Sequence, residues 1–391
     1  MPALLPQILR SEERDTFRAA LARSLADALP YQRVAALDEA DEFPRDTWYE
    51  LGRLGALGLG IEPELGGAGG GVSDALVATI EIARRYPSLA VDYVLCAMLA
   101  RTLTAHGTAE QQARWLGPVS AGETIVAYGI SEPDGGTDAL ALRTRATPID
   151  GGWRVDGAKL WTSLAAESDA ILTLVRTDDP PAPERRATGL SLIAVPTDQP
   201  GVSVRRVHLA GMRGAGTCEV TFDGARAPAE ALVGPRGRGF HLLRDTLDVE
   251  RLLSAGISLG IGTGALELAV SYAAEREAFG RPIGAFQAVA HPLVDAAAAL
   301  AGALLLTERA AQGVDAGDAG SPLPSMAKLA AGEATAVVVD RGMRTMAAMG
   351  LARESPMQMY FRDARLQLFS PVSNEMVRNL LAEAMGLPRS Y

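Results

Sequence analysis

The hydrophobic periodicity changes twice along the chain, and this change restricts the possible folds more than any other feature of the sequence. Residues 12–123 follow the 3.6-residue period of amphipathic helices, as in segments 16–29, 72–85 and 89–105. Thr108, followed by acidic and amide residues, predicts the start of a further helix. Helical periodicity returns after Gly239 in segments 240–277, 283–316, 325–349 and 374–385. The two helical regions therefore flank a part of different structure.

The middle of the chain has the pattern of a small β domain. Short alternating or apolar runs at 154–155, 170–175, 190–195, 202–207 and 218–222 are separated by turn residues. Asp156-Gly157 and Asp223-Gly224 are typical of tight turns between strands. The pattern predicts an α+β protein with an N-terminal helical domain (1–123), a middle antiparallel β domain (124–236) and a C-terminal four-helix bundle (237–391). A chain of 391 residues is long enough for several packed units.

Charge and composition exclude several classes of function. A net charge of -10 disfavours binding to nucleic acid or to an anionic membrane. No run of about eighteen uncharged apolar residues predicts a membrane span, and residues 1–14 do not resemble a secretory signal. Two cysteines cannot form a disulfide framework, so we expect a soluble cytoplasmic protein. Many alanines and only two lysines, Lys159 and Lys328, suggest a GC-rich bacterial genome.

Metal and common nucleotide motifs are not found in the sequence. The histidines and cysteines lack the spacing of metal ligands, so we expect no metal site. No glycine-rich dinucleotide motif follows a strand, and no Walker loop occurs. A cofactor must therefore be bound by other means. The histidines and cysteines are His106, His208, His241, His291, Cys96 and Cys218.

Several motifs resemble those of the acyl-CoA dehydrogenase family. Residues 128–138 (Tyr-Gly-Ile-Ser-Glu-Pro-Asp-Gly-Gly-Thr-Asp) and 157–163 (Gly-Ala-Lys-Leu-Trp-Thr-Ser) are similar to its first signature. Residues 276–283 (Arg-Glu-Ala-Phe-Gly-Arg-Pro-Ile) with Phe-Gln at 286–287, and Arg-Asp-Ala-Arg at 362–365, resemble two further motifs. Weaker similarities at 55–67, 107–122 and 211–240 extend the resemblance, in order, over nearly the whole chain. The resemblance implies the acyl-CoA dehydrogenase fold, with FAD bound non-covalently between the β domain and the C-terminal bundle.

The resemblance also implies roles for residues at the flavin ring. Ser131 would hydrogen-bond the pyrimidine edge, Ser163 would donate toward flavin N5, and Trp161 would lie against the ring. Donors at these positions stabilise the negative charge that reduction places on the ring. Without the resemblance, both serines would be read as ordinary turn residues. Thr137 would contact the pantetheine arm of a thioester substrate.

A second group resembles residues that reach the FAD of a neighbouring subunit. Arg276 would bind the pyrophosphate, together with Phe279 and Gln287, which implies a homodimer or a homotetramer. Arg276 taken alone would more often be a solvated charge at a helix end.

The C-terminal part carries further cofactor positions. Gly350 belongs to the motif that lies along the FAD pyrophosphate, but the family's preceding Gly-Gly pair is Ala347-Ala348 here, so added methyl groups alter the approach of the backbone. Arg344 would add a phosphate contact, and Ser373 would add a further cofactor contact.

The position of the catalytic base departs from many family members. Their glutamate follows the Arg-Asp-Ala motif, where this chain has Pro371-Val372-Ser373, and Pro371 also lacks the N–H that would polarise the thioester carbonyl. A neighbouring N–H or the flavin ribityl hydroxyl would have to compensate. Glu250 instead matches the base position of isovaleryl-type members. A structural ion pair with an arginine remains an alternative for Glu250.

Helical geometry supports Glu250 independently of the resemblance. An apolar stripe of Leu243, Leu247, Ser254 and Ile257 surrounds it, and desolvation there would raise its pKa. The opposite, polar side carries Arg244, Asp248 and Arg251, which can pair with one another. Asp248 and Arg251 also match positions that seat the pantetheine, although either could be a surface charge.

The favoured function is FAD-dependent α,β-dehydrogenation of an acyl thioester, carried by coenzyme A or by an acyl carrier protein. Glu250 would remove the α proton as hydride passes to flavin N5, and an electron-transfer flavoprotein would accept the electrons. A flavin-dependent monooxygenase or oxidase on the same fold is an alternative, favoured by the missing glutamate at position 371. A non-enzymatic flavoprotein resembling the nucleic-acid-binding relative of the family is disfavoured by the net charge of -10.

Overall fold

The structure is a computed structural model that describes residues 5–318 and 320–388. The expectation about the N-terminal segment concerns residues 1–14, of which 1–4 lie outside the described residues. The N-terminal part is helical, as predicted. Its helices are α1 (Glu12–Ala28), α2 (Tyr31–Ala40), α3 (Arg45–Arg53), α4 (Val72–Arg85), α5 (Pro87–His106) and α6 (Ala109–Ser120).

The helix start predicted at Thr108 is confirmed. The Gln111 N–H donates to Thr108 Oγ1 (3.2 Å), and the Thr108 N–H donates to Gln111 Oε1 (2.9 Å). This reciprocal capping satisfies two N–H groups that helix geometry leaves free. The Gln111 side chain also donates to the carbonyl oxygens of Glu230 and Leu232, at 2.7 and 2.8 Å. The start of α6 is therefore fixed to the middle part of the chain.

The middle of the chain forms a sheet with the strand order β6-β7-β3-β2-β4-β5-β8. Most neighbours are antiparallel, as predicted, but β1 pairs with β4 in parallel, and β2 meets β4 in parallel at one position. The sheet is therefore mixed rather than purely antiparallel. Its strands are β1 (Val126–Gly129), β2 (Arg145–Ile149), β3 (Gly152–Thr162), β4 (Ala170–Arg176), β5 (Leu190–Pro196), β6 (Val202–Arg206), β7 (Cys218–Pro228) and β8 (Leu232–Val233).

The two dipeptides predicted as tight turns lie inside strands, so that prediction is wrong. The register between β3 and β7 shifts between Val155 and Gly157, which places Asp156 opposite Asp223-Gly224. The Gly224 N–H donates to Asp156 Oδ1 (2.8 Å), and Gly224 has φ +68°. The pair forms a β-bulge, in which the extra residue takes a conformation that favours glycine.

The C-terminal part is again helical and confirms the predicted α+β class. The segment predicted as one helix over 240–277 is interrupted at Asp245-Thr246, which separates α7 from α8. Helices α8 and α10 run parallel, since Thr335 Oγ1 donates to the Ser258 carbonyl (2.7 Å) and Gly342 lies beside Ala269. The elements are α7 (Gly239–Arg244), α8 (Leu247–Glu275), β9 (Glu277–Ala278), β10 (Arg281–Pro282), α9 (Gln287–Asp315), α10 (Leu323–Met346), α11 (Ala348–Leu351), α12 (Pro356–Asp363) and α13 (Asn374–Ala384).

Three of these helices, α5, α8 and α9, are long and apolar enough to cross a membrane by length and composition alone. Each of the three helices carries charged residues, so none of them contains the long uncharged run that would predict a membrane span from sequence. In the fold, 67% of the most apolar window of α5 and 78% of that of α8 are buried, compared with 33% for α9. The apolar character of α5 and α8 therefore belongs to the core, whereas much of α9 lies at the surface.

Candidate active site

Ser131 and Trp161, both predicted to contact the flavin, lie side by side. The Leu160 N–H donates to the Ser131 carbonyl (2.9 Å), which joins the end of β3 to the segment after β1. Trp161 has φ +63° and is 56% exposed, although indole side chains are usually covered. A backbone conformation that is uncommon for a residue with a side chain presents this ring outward.

Ser163 lies just beyond Trp161 and faces a residue that the sequence did not indicate. Its Oγ is 3.3 Å from Oγ1 of Thr217, and the Leu164 N–H donates to the Ala215 carbonyl (3.2 Å). The segment before β7 therefore contacts Ser163 and holds it in place. Because the contact joins residues 54 positions apart, local patterns could not reveal Thr217.

A buried ion pair between Lys159 and Glu132 holds these flavin-facing segments together. Lys159 Nζ donates to Glu132 Oε1 (2.8 Å) and to the Ile130 carbonyl (3.1 Å). Glu132 also accepts hydrogen bonds from the N–H groups of Arg143 (2.6 Å) and Thr144 (2.9 Å). Burial alone would raise the pKa of Glu132, but Lys159 and these hydrogen bonds lower it. Neither side chain was proposed as a site residue from sequence, although both stand next to ones that were.

Glu250, the predicted base, lies in the first turn of α8 and is half-buried. Among the described residues its carboxylate has no hydrogen-bond or ion-pair partner, so the alternative of a structural ion pair is not observed. Burial raises the pKa of Glu250 to about 7, while nearby Arg251 acts in the opposite direction. Burial raises the pKa of Tyr128 on β1, and the nearby charge of Glu250 raises it further. The Glu250 carboxyl group is therefore close enough to affect Tyr128, which lies three residues before Ser131.

On the polar side of the same turn, Asp248 and Arg251 pair as predicted, whereas Arg244 has no partner among the described residues. Arg251 donates to Asp248 Oδ1 at 2.9 Å, and its Nε is buried without a partner among the described atoms. Thr137, predicted to contact the pantetheine arm, is exposed in the loop after β1. Asp248 and Arg251 share the first turn of α8 with Glu250.

The segment that replaces the family's usual base is fixed beside Glu250. Lys328 is 1% exposed, and its Nζ donates to the Val372 carbonyl and to Asn374 Oδ1, both at 2.7 Å. Ser254, one turn after Glu250, donates to Gln367 Oε1 (3.1 Å). Ser373 accepts a hydrogen bond from the Met376 N–H (3.2 Å) and caps α13. Its predicted cofactor contact must therefore come in addition to a structural role.

The remaining predicted cofactor residues lie at the opposite end of the bundle. Arg276 follows Glu250 by 26 residues, which in a helix corresponds to roughly 39 Å. Phe279 has φ +53° at the tip of the β9–β10 hairpin and is 95% exposed. Because α8 and α10 are parallel, Arg344 and Gly350 lie at this end as well. We call Arg276, Phe279, Gln287, Arg344 and Gly350 the distal group.

Two positions in the distal region have features that bear on their predicted contacts. Arg344 Nε donates to Asp340 Oδ2 (2.9 Å), and this exposed pair leaves the other guanidinium nitrogens of Arg344 available for the predicted phosphate contact. Ala347 has φ +50° and ψ −130°, a conformation that favours glycine. Ala347 therefore occupies a backbone conformation that glycine would adopt with less strain.

Two shallow clefts between α6 and the sheet, lined by Trp115 and Glu230, lie away from Glu250 and the serines. Over residues 5–318 and 320–388, no group of three or more histidine, cysteine or acidic side chains could hold a metal ion.

Comparison with known protein families decides the assignment. The family models for the N-terminal, middle and C-terminal domains of acyl-CoA dehydrogenase match residues 11–123, 127–225 and 237–386. The chain belongs to the acyl-CoA dehydrogenase family. It is thus an FAD-dependent oxidoreductase that acts on CH–CH bonds, as the resemblance implied.

Individual relatives match the sequence or the structure of this dehydrogenase over almost their full length. The chain is 33% identical to acyl-CoA dehydrogenase FadE12 of Mycobacterium tuberculosis over 98% of both chains. It is 33% identical to the mitochondrial short-chain specific acyl-CoA dehydrogenase of Bos taurus, over 94% of this chain and 89% of that protein. A solved structure described as the electron transferring flavoprotein of Acidaminococcus fermentans matches with a TM-score of 0.92 and 27% identity, over 97% and 99% of the two chains.

The residues around Trp161 are suitable for holding FAD. Among the described residues, no other side chain donates to or accepts from the Ser131 hydroxyl, and Ser163 Oγ has only the long contact to Thr217. An exposed indole flanked by two available hydroxyl groups suits a flat, polar-edged ring. Ser131, Trp161 and Ser163 would therefore hold the isoalloxazine in this dehydrogenase.

Proposed function

We propose that this dehydrogenase oxidises an acyl-CoA thioester between its α and β carbons and that Glu250 is the base. The observation that carries the proposal is the half-buried carboxyl group of Glu250, without a protein partner among the described residues and with a pKa raised to about 7. A carboxylate with a pKa near the working pH combines basicity with a useful population of the deprotonated form.

The proposed chemistry divides between the two sides of the site. Glu250 accepts the α proton, which leaves negative charge on the thioester carbonyl and α carbon. When bound, FAD supplies the acceptor for the hydride from the β carbon. Ser131 and Ser163 orient the ring by hydrogen bonds and Trp161 covers it, while the apolar surroundings of Glu250 exclude water. The pair of Asp248 and Arg251 would position the pantetheine beside Thr137.

We also propose a homodimer or homotetramer in which the distal group of one copy completes the FAD site of another. Within one chain, α8 separates Arg276 from Glu250, so the distal group cannot contact the same flavin as Ser131. Phe279 at the hairpin tip is 95% exposed, and the described residues of the chain do not cover it. Helix α9 begins at Gln287 and is partly exposed, with Val294 57% and Leu305 52% exposed, which supports an interface along this helix.

The electron acceptor and the location complete the proposal. An electron-transfer flavoprotein is the favoured acceptor, in line with the family. A cytoplasmic location is supported by the cysteines Cys96 and Cys218, both free and buried. Direct reaction with oxygen, as in a monooxygenase or oxidase, is the second candidate, and the proline at position 371 favours it. An acyl group carried by a carrier protein remains a variant of the main proposal.

The test is to add acyl-CoA thioesters of different chain length to the FAD-loaded protein without oxygen. The proposal expects rapid bleaching of the flavin absorbance by at least one of them, followed by reoxidation when an electron-transfer flavoprotein is added. No bleaching by any thioester, together with oxygen consumption in air, would favour the monooxygenase or oxidase.

A further inference from the structure

Two arginines without partners stand on the rim of the site, at the approach to Glu250. Arg238 precedes α7 and Arg244 ends it, and both are exposed. Among the described residues neither guanidinium has an ion-pair or hydrogen-bond partner. By contrast, Arg143, Arg145 and Arg186 near the same rim each pair with an aspartate at 3.0 Å or less. Three cations near the rim are therefore neutralised, whereas Arg238 and Arg244, and also exposed Arg185 beside Arg186, have no side-chain partner among the described residues.

A series of contacts connects Arg238 to Thr137, the predicted pantetheine contact. Arg186 pairs with Asp138, the residue after Thr137, at 2.7 Å. Buried Arg176 donates to the carbonyl oxygens of Leu140 (3.3 Å) and Arg186 (3.1 Å), which fixes these two loops beside each other. The same loop continues to Gly189, whose N–H donates to the Gly237 carbonyl at 3.1 Å. A continuous path thus leads from Thr137 to Arg238.

Close packing fixes α7 at this place. The Gly237 N–H donates to Ser191 Oγ (2.8 Å), and a Cβ on Gly239 would lie 2.6 Å from the Ser191 carbonyl carbon. The start of α7 is therefore pressed onto β5, and its charged residues cannot move far from the rim. His241 is three residues from each arginine along the chain, and burial, Arg238 and Arg244 lower its pKa. Arg244 is six residues before Glu250.

A substrate on a pantetheine arm brings its negative charge to this rim. The arm extends outward from the thioester and ends in phosphate, both in coenzyme A and in carrier proteins. A chain with a net charge of -10 would repel these phosphates unless cations lie where they arrive. Guanidinium groups suit this task because their planar array of N–H donors matches phosphate oxygens.

We propose that Arg238 and Arg244 bind the phosphate at the outer end of the pantetheine arm and so select phosphate-bearing thioesters. This inference rests on the proposed use of a thioester substrate. Either arginine taken alone would be an ordinary surface charge. Their lack of partners is shared by Arg185, but Arg238 and Arg244 are distinguished by lying at the two ends of α7, which close packing against β5 holds in place.

The test measures binding rather than turnover, so it does not depend on dehydrogenation. S-hexyl-coenzyme A, S-hexyl-phosphopantetheine and S-hexyl-pantetheine are thioethers that lack the thioester carbonyl group and cannot be dehydrogenated as thioesters, and their affinities for the FAD-loaded protein can be measured by calorimetry. We expect the double variant Arg238→Ala/Arg244→Ala to weaken binding of S-hexyl-coenzyme A about tenfold, with less effect at high salt. Binding of S-hexyl-pantetheine should not change.

The control is Arg23→Ala/Arg226→Ala, which makes the same change in net charge at two exposed arginines without partners elsewhere on the described surface. It should leave all three affinities unchanged. Equal weakening of the coenzyme A and phosphopantetheine thioethers would assign the contact to the phosphate shared with carrier proteins, whereas weakening of the coenzyme A thioether alone would assign it to the nucleotide phosphates.

Three results would overturn the proposal: no change in the double variant, an equal change for S-hexyl-pantetheine, or an equal change in the control. Failure of the proposed dehydrogenation is a separate result, because it appears as a flavin that no acyl thioester bleaches.

Discussion

Nζ of Lys159 lies 2.8 Å from Oε1 of Glu132, and both side chains are buried. Each residue stands beside a predicted flavin contact: Glu132 follows Ser131, and Lys159 precedes Trp161 by two positions. The pair therefore aligns two segments that are 27 residues apart in sequence. Its energetic importance comes from the cost of leaving one buried charge without the other.

Replacing Lys159 with methionine should lower the free energy of unfolding by about 3–5 kcal/mol, because Glu132 would remain buried and unpaired. The variant should also lose FAD more readily, since Ser131 and Trp161 would no longer be aligned. Denaturant unfolding and the visible spectrum check both effects. The control is Arg154→Met on the same strand, which breaks an exposed pair with Asp156 and should change stability little. Equal losses in the two variants would contradict this account.

The sequence predicted the order of the parts well, because helical and strand periods reflect which faces are buried. It failed where distant segments meet. Asp156-Gly157 and Asp223-Gly224 have turn composition, yet pairing between β3 and β7 places them opposite each other in a bulge. Nothing local separates a turn glycine from a bulge glycine, since both need positive φ.

The candidate site was predicted only in part, because some of its contacts also join segments that are distant in sequence. Family motifs indicated Ser131, Trp161, Ser163 and Glu250, which lie toward one region of the fold. The supporting contacts of Lys159 and Thr217 depend on pairing across the sheet, so the sequence alone did not indicate them. Arg344 matched by position, but its ion pair with Asp340 depends on side-chain geometry one helical turn away.

Glu250 should make stability depend on pH in a defined direction. Burial raises its pKa from 4.5 to about 7, so the folded state holds the proton more tightly than the unfolded state between these values. Glu250 therefore lowers the free energy of unfolding as the pH rises from about 4.5 to about 7. Glu250→Gln should be more stable than wild type by about 3 kcal/mol at pH 8, and this difference should vanish below about pH 4.5.

Unfolding by denaturant at several pH values checks this effect of Glu250. The control is Glu275→Gln, an exposed position on the same helix, which should show no such pH-dependent gain. A constant difference between Glu250→Gln and wild type at all pH values would mean that the carboxyl group is not desolvated.

Ala347→Gly should stabilise the protein. Ala347 has φ +50° and ψ −130°, a conformation that glycine adopts with less strain. Part of the relief is lost to the greater freedom of glycine in the unfolded chain, so we expect a net gain of about 1 kcal/mol. Thermal unfolding checks it. Ala348→Gly, at the next position in helical backbone, should be neutral or destabilising, and a gain there equal to that at Ala347 would contradict the strain argument.

Thr108→Ala should cost about 1 kcal/mol of stability, because the Gln111 N–H loses its cap at the start of α6. Thr108→Ser keeps the hydroxyl group and should retain most of the stability. Thermal unfolding of the two variants checks the role of the hydroxyl. If both variants lost the same stability, the methyl group of Thr108 rather than its hydroxyl would be responsible.

The most direct test of the central claim is flavin bleaching by an acyl-CoA substrate without oxygen, measured by rapid mixing in wild type, Glu250→Gln and Glu275→Gln. All three proteins must first show bound FAD by their visible spectra. The account predicts rapid bleaching in wild type and in Glu275→Gln, with a rate that rises with pH and reaches half its maximum near pH 7. In Glu250→Gln the rate should fall by at least about a hundredfold. Bleaching of Glu250→Gln at the wild-type rate would remove Glu250 from the mechanism and contradict the account.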